Sequence, residues 1–157
     1  MDFDTTPASD LRDRMLVAYT GDHPATRQLA EWLAHDLAES FVVELADLDA
    51  AAAPPLYDYD AVVIGAGVRI GRHPRKVISY IRDHGDELAA IPASFFSVGG
   101  HGAFARDAYV KRMTERTGWR PQEAATFGDA GEPQRCDLRE FATRVGRAVP
   151  ANMQYVH

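Results

Sequence analysis

"RMLVAYTGDHPATRQLAEWLAHDL", residues 14–37, decides the fold. "MLVAY" (15–19) is apolar and reads as a buried strand. From Pro24 to Glu39 the spacing predicts a helix, with Leu29, Ala30, Leu33, Ala34 and Leu37 recurring on one face. Pro24 suits the first helical turn, because its missing N–H is one the helix cannot use there anyway. Between them lies a short polar loop opening at Thr20. Strand, polar loop, helix is an arrangement that can hold an anion, since a helix N-terminus offers N–H groups and the positive end of its dipole.

Working outward, "FVVELA" (41–46), "AVVIGAGV" (61–68), "PASFFSVGG" (92–100) and "EAATFG" (123–128) read as further strands. The third is the most apolar and is expected to be buried on both faces. Helices are predicted over 73–88, with Pro74 at the first helical position and Val77, Ile78 and Ile81 as the apolar stripe, and over 103–118, stopped by Gly118. A last helix is predicted over 136–149, with Asp137 and Glu140 as its capping box and Leu138, Phe141, Ala142 and Val145 facing the core. The segment after the second strand carries Pro54 and Pro55 and has no convincing helix. Strands alternating with helices imply crossover connections and a parallel, doubly wound α/β sheet.

Length and composition fit one domain, expected over residues 13–149, with 1–12 as a disordered extension and 150–157 as a tail. Formal charge is −6 and no basic run occurs, which argues against a nucleic-acid partner. The longest uncharged stretch, Leu88 to Gly100, is too short to span a bilayer and contains Pro92. The N-terminal "MDFDTTPASDLRDR" has no apolar leader pattern. Cys136, expected just before the last helix, is the one cysteine, so neither an internal disulfide nor a redox dithiol forms. A soluble cytoplasmic protein is the expectation.

In open parallel sheets ligands bind at the carboxyl ends of the strands, near the point where strand order reverses. Three loops meet there: Thr20–Thr26, Gly67–His73 and Gly99–Phe104. In the first, Thr20 and Thr26 can donate hydroxyl hydrogen bonds to phosphate oxygens, while Asp22 or His23 could equally cap the helix. The second, "GAGVRIGRHP", and the third, "VGGHGAF", are rich in glycine and let a ligand approach closely. His23, His73 and His101 lie one per loop, without the short paired spacing of a metal site. His35 and His84 read as surface helix residues. A receiver-type phosphoacceptor is excluded, because the third strand ends in "VVIGAG" with no carboxylate.

These residues resemble the flavodoxin-like superfamily, and within it the menaquinone-dependent protoporphyrinogen dehydrogenase branch. "YDYDAVVIGAGVRIGRHPRKVISYIRDHGDELAAIPASFFSV" (57–98) carries the resemblance most clearly, and "GWRP" (118–121) adds to it. It implies a five-stranded parallel sheet in the order 2-1-3-4-5, helices on both faces, and FMN as cofactor. By position, Thr20, Gly21, Asp22, His23, Ala25 and Thr26 would form the phosphate site. Gly67, Val68, Arg69, Ile70 and Gly71 would face one side of the isoalloxazine, and Ser97, Gly99, Gly100 and His101 the other. Arg69 would place a permanent positive charge by the ring, favouring the reduced, negatively charged cofactor.

Three residues depart from the family pattern. Pro24 stands for a glycine, Asp22 brings a negative charge to the phosphate loop, and Ile70 replaces a ring-stacking aromatic, for which Phe104 or His101 could substitute. The basic insertion near the last strand is also absent, only "GDAGEPQR" standing there. The resemblance implies electron transfer or a small flavin-dependent oxidoreductase, with a redox protein or quinone as partner. The alternative is a domain that has lost FMN and acts through protein contacts. Whether the chain is a monomer or a homodimer stays open.

Overall fold

The computed structural model describes residues 11–20, 24–50, 52–68, 72–99, 102–128 and 133–150, with backbone only for 102–107 and 133–134. The expected N-terminal extension and C-terminal tail lie outside these residues, apart from Leu11, Arg12 and Pro150. Along the chain run β1 (Arg14–Tyr19), α1 (Pro24–Leu37), β2 (Val42–Asp47), a 3-10 turn (Leu56–Asp58), β3 (Ala61–Gly67), α2 (Arg75–Asp83), α3 (Gly85–Ala90), β4 (Ala93–Val98), α4 (Gly102–Thr117), β5 (Ala124–Phe127) and α5 (Pro133–Ala148). All strand pairs are parallel, in the order β2-β1-β3-β4-β5.

Alternation along the strands sends side chains to two cores. Met15 and Val17 of β1, Ala61 and Val63 of β3, and Phe96 and Val98 of β4 pack with Leu29 and Leu33 of α1 and Leu138 and Phe141 of α5. Leu16 and Ala18, Val62 and Ile64, and Phe95 pack on the other face with Val77, Ile78 and Ile81 of α2, Leu88 of α3 and Met113 of α4. Every residue of β3 is buried, as its composition predicted. The apolar stripes expected on α1 and α5 are all buried. Among the described residues no α-helix lies between β2 and β3. Leu56 of the 3-10 turn and Tyr59 close that part of the second core instead.

Local readings need correction at four places. The helix predicted over 73–88 is two helices, divided at His84 (φ −113°, ψ 23°), and Pro74 precedes α2 rather than opening it. α5 starts at Pro133, so the Asp137–Glu140 pair sits inside the helix and caps nothing. Glu140 is ion-paired with Arg144 one turn on, at 3.6 Å. Cys136 is therefore an exposed helical residue, not one preceding the helix. α1 ends two residues before Glu39.

Candidate functional site

Backbone hydrogen bonds stitch together the carboxyl ends of the central strands. The Thr20 N–H donates to the Gly65 carbonyl at 3.1 Å, which carries β1 one residue past its end against β3. The Val68 N–H donates to the Val98 carbonyl at 2.7 Å, and the Gly99 N–H to the Phe127 carbonyl at 2.7 Å. Gly99 has φ +117°, a backbone conformation that side chains rarely tolerate, so the turn leaving β4 requires glycine. The three loops singled out in the sequence thus leave from one edge of the sheet.

At the first loop, Thr20 and Thr26 are both fully buried, and neither hydroxyl has a hydrogen-bond partner among the described residues. Thr20 directly follows β1 and Thr26 lies in the first turn of α1, so they flank residues 21–23. Leaving a buried hydroxyl unsatisfied costs about 1–3 kcal/mol. Two such groups at the N-terminus of a 14-residue helix form an acceptor-seeking site beside a positive dipole end. Those residues fit a phosphorylated ligand. Ala25 is half-buried in the same turn, and Pro24 is the first residue of α1, as its ring geometry predicted.

At the other two loops, Gly67 and Gly99 are buried and Val68 is half-buried. Ser97 is fully buried, and its hydroxyl lies 2.9 Å from Nε2 of His73, itself buried. The His73 ring stands edge-on to Phe95 (centroids 5.4 Å apart) and Tyr109 (6.2 Å). Burial pushes its pKa down to about 4, with the Arg116 and Arg112 charges adding to the shift, so the ring is neutral near pH 7. His73, in the loop that leaves β3, is thus turned into the protein interior. Its position right after a glycine-rich loop was visible, but its partner 24 residues on was not.

Gly21, Asp22, His23, Arg69, Ile70, Gly71, Gly100 and His101 lie outside the described residues, and so does the side chain of Phe104. Among the described residues no cluster of His, Cys, Asp and Glu could hold a metal ion, and no helix is long and apolar enough to cross a membrane. A groove of about 420 Å³ runs along β5. Arg144 on its wall is held by Glu123 at 3.1 Å and Glu140 at 3.6 Å, which leaves it no charge to spare for a ligand.

The flavodoxin domain family model matches residues 16–145. The chain is 28% identical over 124 residues to a Leishmania major protein named protoporphyrinogen IX dehydrogenase [quinone], covering 74% of this chain and 53% of that one. It is 26% identical over 127 residues to the Escherichia coli K12 protein of the same name, covering 74% of this chain and 68% of that one. The chain thus spans about half the length of the Leishmania relative. Among solved structures, the rubredoxin oxygen:oxidoreductase of Desulfovibrio gigas superposes with a TM-score of 0.68 at 17% identity, over 89% of this chain and 37% of that one. An archaeal flavodoxin superposes with a TM-score of 0.61 at 11% identity, over 87% of this chain and 98% of that one. With the family match running from β1 into α5, the chain belongs to the flavodoxin domain family.

Proposed function

We propose that the flavin is FMN, held at the carboxyl edge of the sheet, and that the domain passes electrons to a quinone or a redox partner protein. The two buried, unpartnered hydroxyls of Thr20 and Thr26 carry this reading. They would donate to the terminal phosphate, assisted by the N-terminal end of α1. Gly67, Val68 and Gly99 would let the ring lie close to backbone on its two sides, with Arg69–Gly71 and Gly100–His101 completing the cleft. When bound, FMN supplies the redox chemistry, and the protein supplies position, exclusion of water and local charge. The quinone-type acceptor, and a porphyrinogen-type donor, rest on the names of the Leishmania and E. coli relatives.

Thr20→Val gives a test with two opposite signs. Valine is nearly isosteric but leaves no hydroxyl to bury. The flavin-free variant should melt higher, by the equivalent of about 1 kcal/mol, since the orphaned group is gone. The same variant should bind FMN about tenfold more weakly, because one phosphate hydrogen bond is lost. Melting curves of stripped protein and fluorescence titration with FMN measure the two. Asp22→Asn should tighten binding, by up to about tenfold for each ~1.4 kcal/mol of repulsion relieved. Holoprotein should absorb near ~450 nm, a property of the flavin itself. If neither wild type nor Asp22→Asn binds FMN at high micromolar concentration, the loop is only a capped helix start, and the domain acts through protein contacts.

A further inference from the structure

The excursion after β3 is tied down at both ends to consecutive residues of β4. It departs at Val68, whose N–H donates to the Val98 carbonyl at 2.7 Å. It returns at His73, whose Nε2 lies 2.9 Å from the Ser97 hydroxyl. The first tie belongs to the parallel ladder and would exist in any such sheet. The second is made by two side chains and depends on these residues. His73 is further fixed by edge-on contacts to Phe95, beside it on β4, and to Tyr109 of α4. Both members of the pair are shielded from water, His73 at 6% exposure and Ser97 at 0%.

We infer that the His73–Ser97 hydrogen bond is a latch that sets the width of the flavin cleft, with His73 acting as a positioning residue. The inference rests on the FMN reading above. The loop between Val68 and His73 and the turn leaving Gly99 are the two sides proposed to bracket the ring. Pinning His73 to Ser97, two residues before Gly99, fixes the residue that ends the first side against the strand that leads into the second. The imidazole of His73 is buried against Ser97 and Phe95, so His73 works through the backbone it anchors and not by touching the flavin. A neutral imidazole suits this task. It exchanges a single hydrogen bond with a hydroxyl and brings no charge beside Arg112 and Arg116, which already face it from α4.

The test compares wild type with Ser97→Ala, His73→Phe, His73→Gln and the double variant Ser97→Ala/His73→Phe. His73→Phe keeps the aromatic contacts and removes the latch, while glutamine can still reach the hydroxyl. The readouts are FMN affinity of stripped protein, visible circular dichroism of the bound flavin, and amide exchange in flavin-free protein. Ser97→Ala and His73→Phe should each weaken FMN binding about tenfold. Each should also alter the flavin dichroism and accelerate exchange in peptides spanning 68–73. His73→Gln should recover part of the affinity, and the double variant should be no worse than the worse single one. Wild-type affinity, dichroism and loop exchange in both single variants would overturn the latch alone. So would acceleration of exchange spread evenly through the domain, which would mark ordinary core damage. A wild-type protein that fails to bind FMN would overturn the site and the latch together.

Discussion

His73 shows what a single residue can contribute to pH response. Its pKa falls from 6.5 in an unfolded chain to about 4 in the fold, first because it is buried and second because Arg116 and Arg112 are near. Between those values the unfolded chain binds more protons than the folded one, so stability rises with pH across that window. The contribution is fully present above about pH 6.5 and is lost progressively down to about pH 4, to a total of roughly 3 kcal/mol. Thermal melts of flavin-free protein from pH 7 to pH 4.5 should therefore fall more steeply for wild type than for His73→Phe. Parallel curves would show that the ring is not held neutral by the fold. Thr20 and Thr26 were legible as candidates, because strand, loop and helix fix their place along the chain. The His73–Ser97 pair was not. Both residues were noticed, one as an edge histidine and one as a cofactor residue, but their hydrogen bond exists only because β3 and β4 are neighbours in the sheet.

The elements came through in the sequence wherever hydrophobic period was strong, as in α1 and β3. They failed where a local signal had two meanings. Asp137 and Glu140 have the spacing of a capping box, yet residues three apart also share a face in mid-helix. Pro133, at the true start of α5, was the better marker. The stripe of α2 runs on into α3 in period, so the break at His84 left no trace in the apolar pattern; there the ring Nδ1 lies 2.8 Å from the Tyr80 carbonyl. Close packing between neighbouring strands is also invisible to period. Gly65 lies beside Phe96 in register, and a Cβ on it would clash with the Phe96 ring, closest to its Cζ. That ring cannot swing aside, because it is fully buried against Phe127 and Phe141, with centroids 6.3 and 6.4 Å away. Gly65→Ala should therefore destabilise the domain by about 1–3 kcal/mol, by overpacking. Urea unfolding measures this, and an unchanged midpoint would mean that the ring relaxes freely.

For the whole molecule, alternating strands and helices were enough to imply a parallel sheet, and the family resemblance supplied the strand order. Net charge and cysteine count narrowed the function classes without reaching the site, since neither says which loops converge. Binding and folding are coupled at this scale. A ligand that binds only the folded state adds RT ln(1 + [L]/Kd), about 2.7 kcal/mol at one hundred times Kd. FMN should therefore raise the melting temperature of stripped wild type in a concentration-dependent way. At equal FMN the increment should be smaller for Thr20→Val, even though that variant starts from a higher melting temperature. A melting temperature indifferent to FMN would mean that the cofactor has no preference for the folded domain.

The Gly99 N–H, at the turn beside the proposed ring cleft, is satisfied by the carbonyl of Phe127, the last residue of β5. On a ribosome, Thr20 and Thr26 are made early, yet Thr20 waits for Gly65 before its backbone is paired, and Gly99 waits for β5. The two ends of the proposed cofactor site would thus be completed at different moments of translation, the proposed phosphate side first and the proposed ring side only when the last strand has been made. On the FMN reading, flavin loading would belong to the finished chain, and a ribosome stalled before residue 127 would leave the Gly99 N–H without its Phe127 partner.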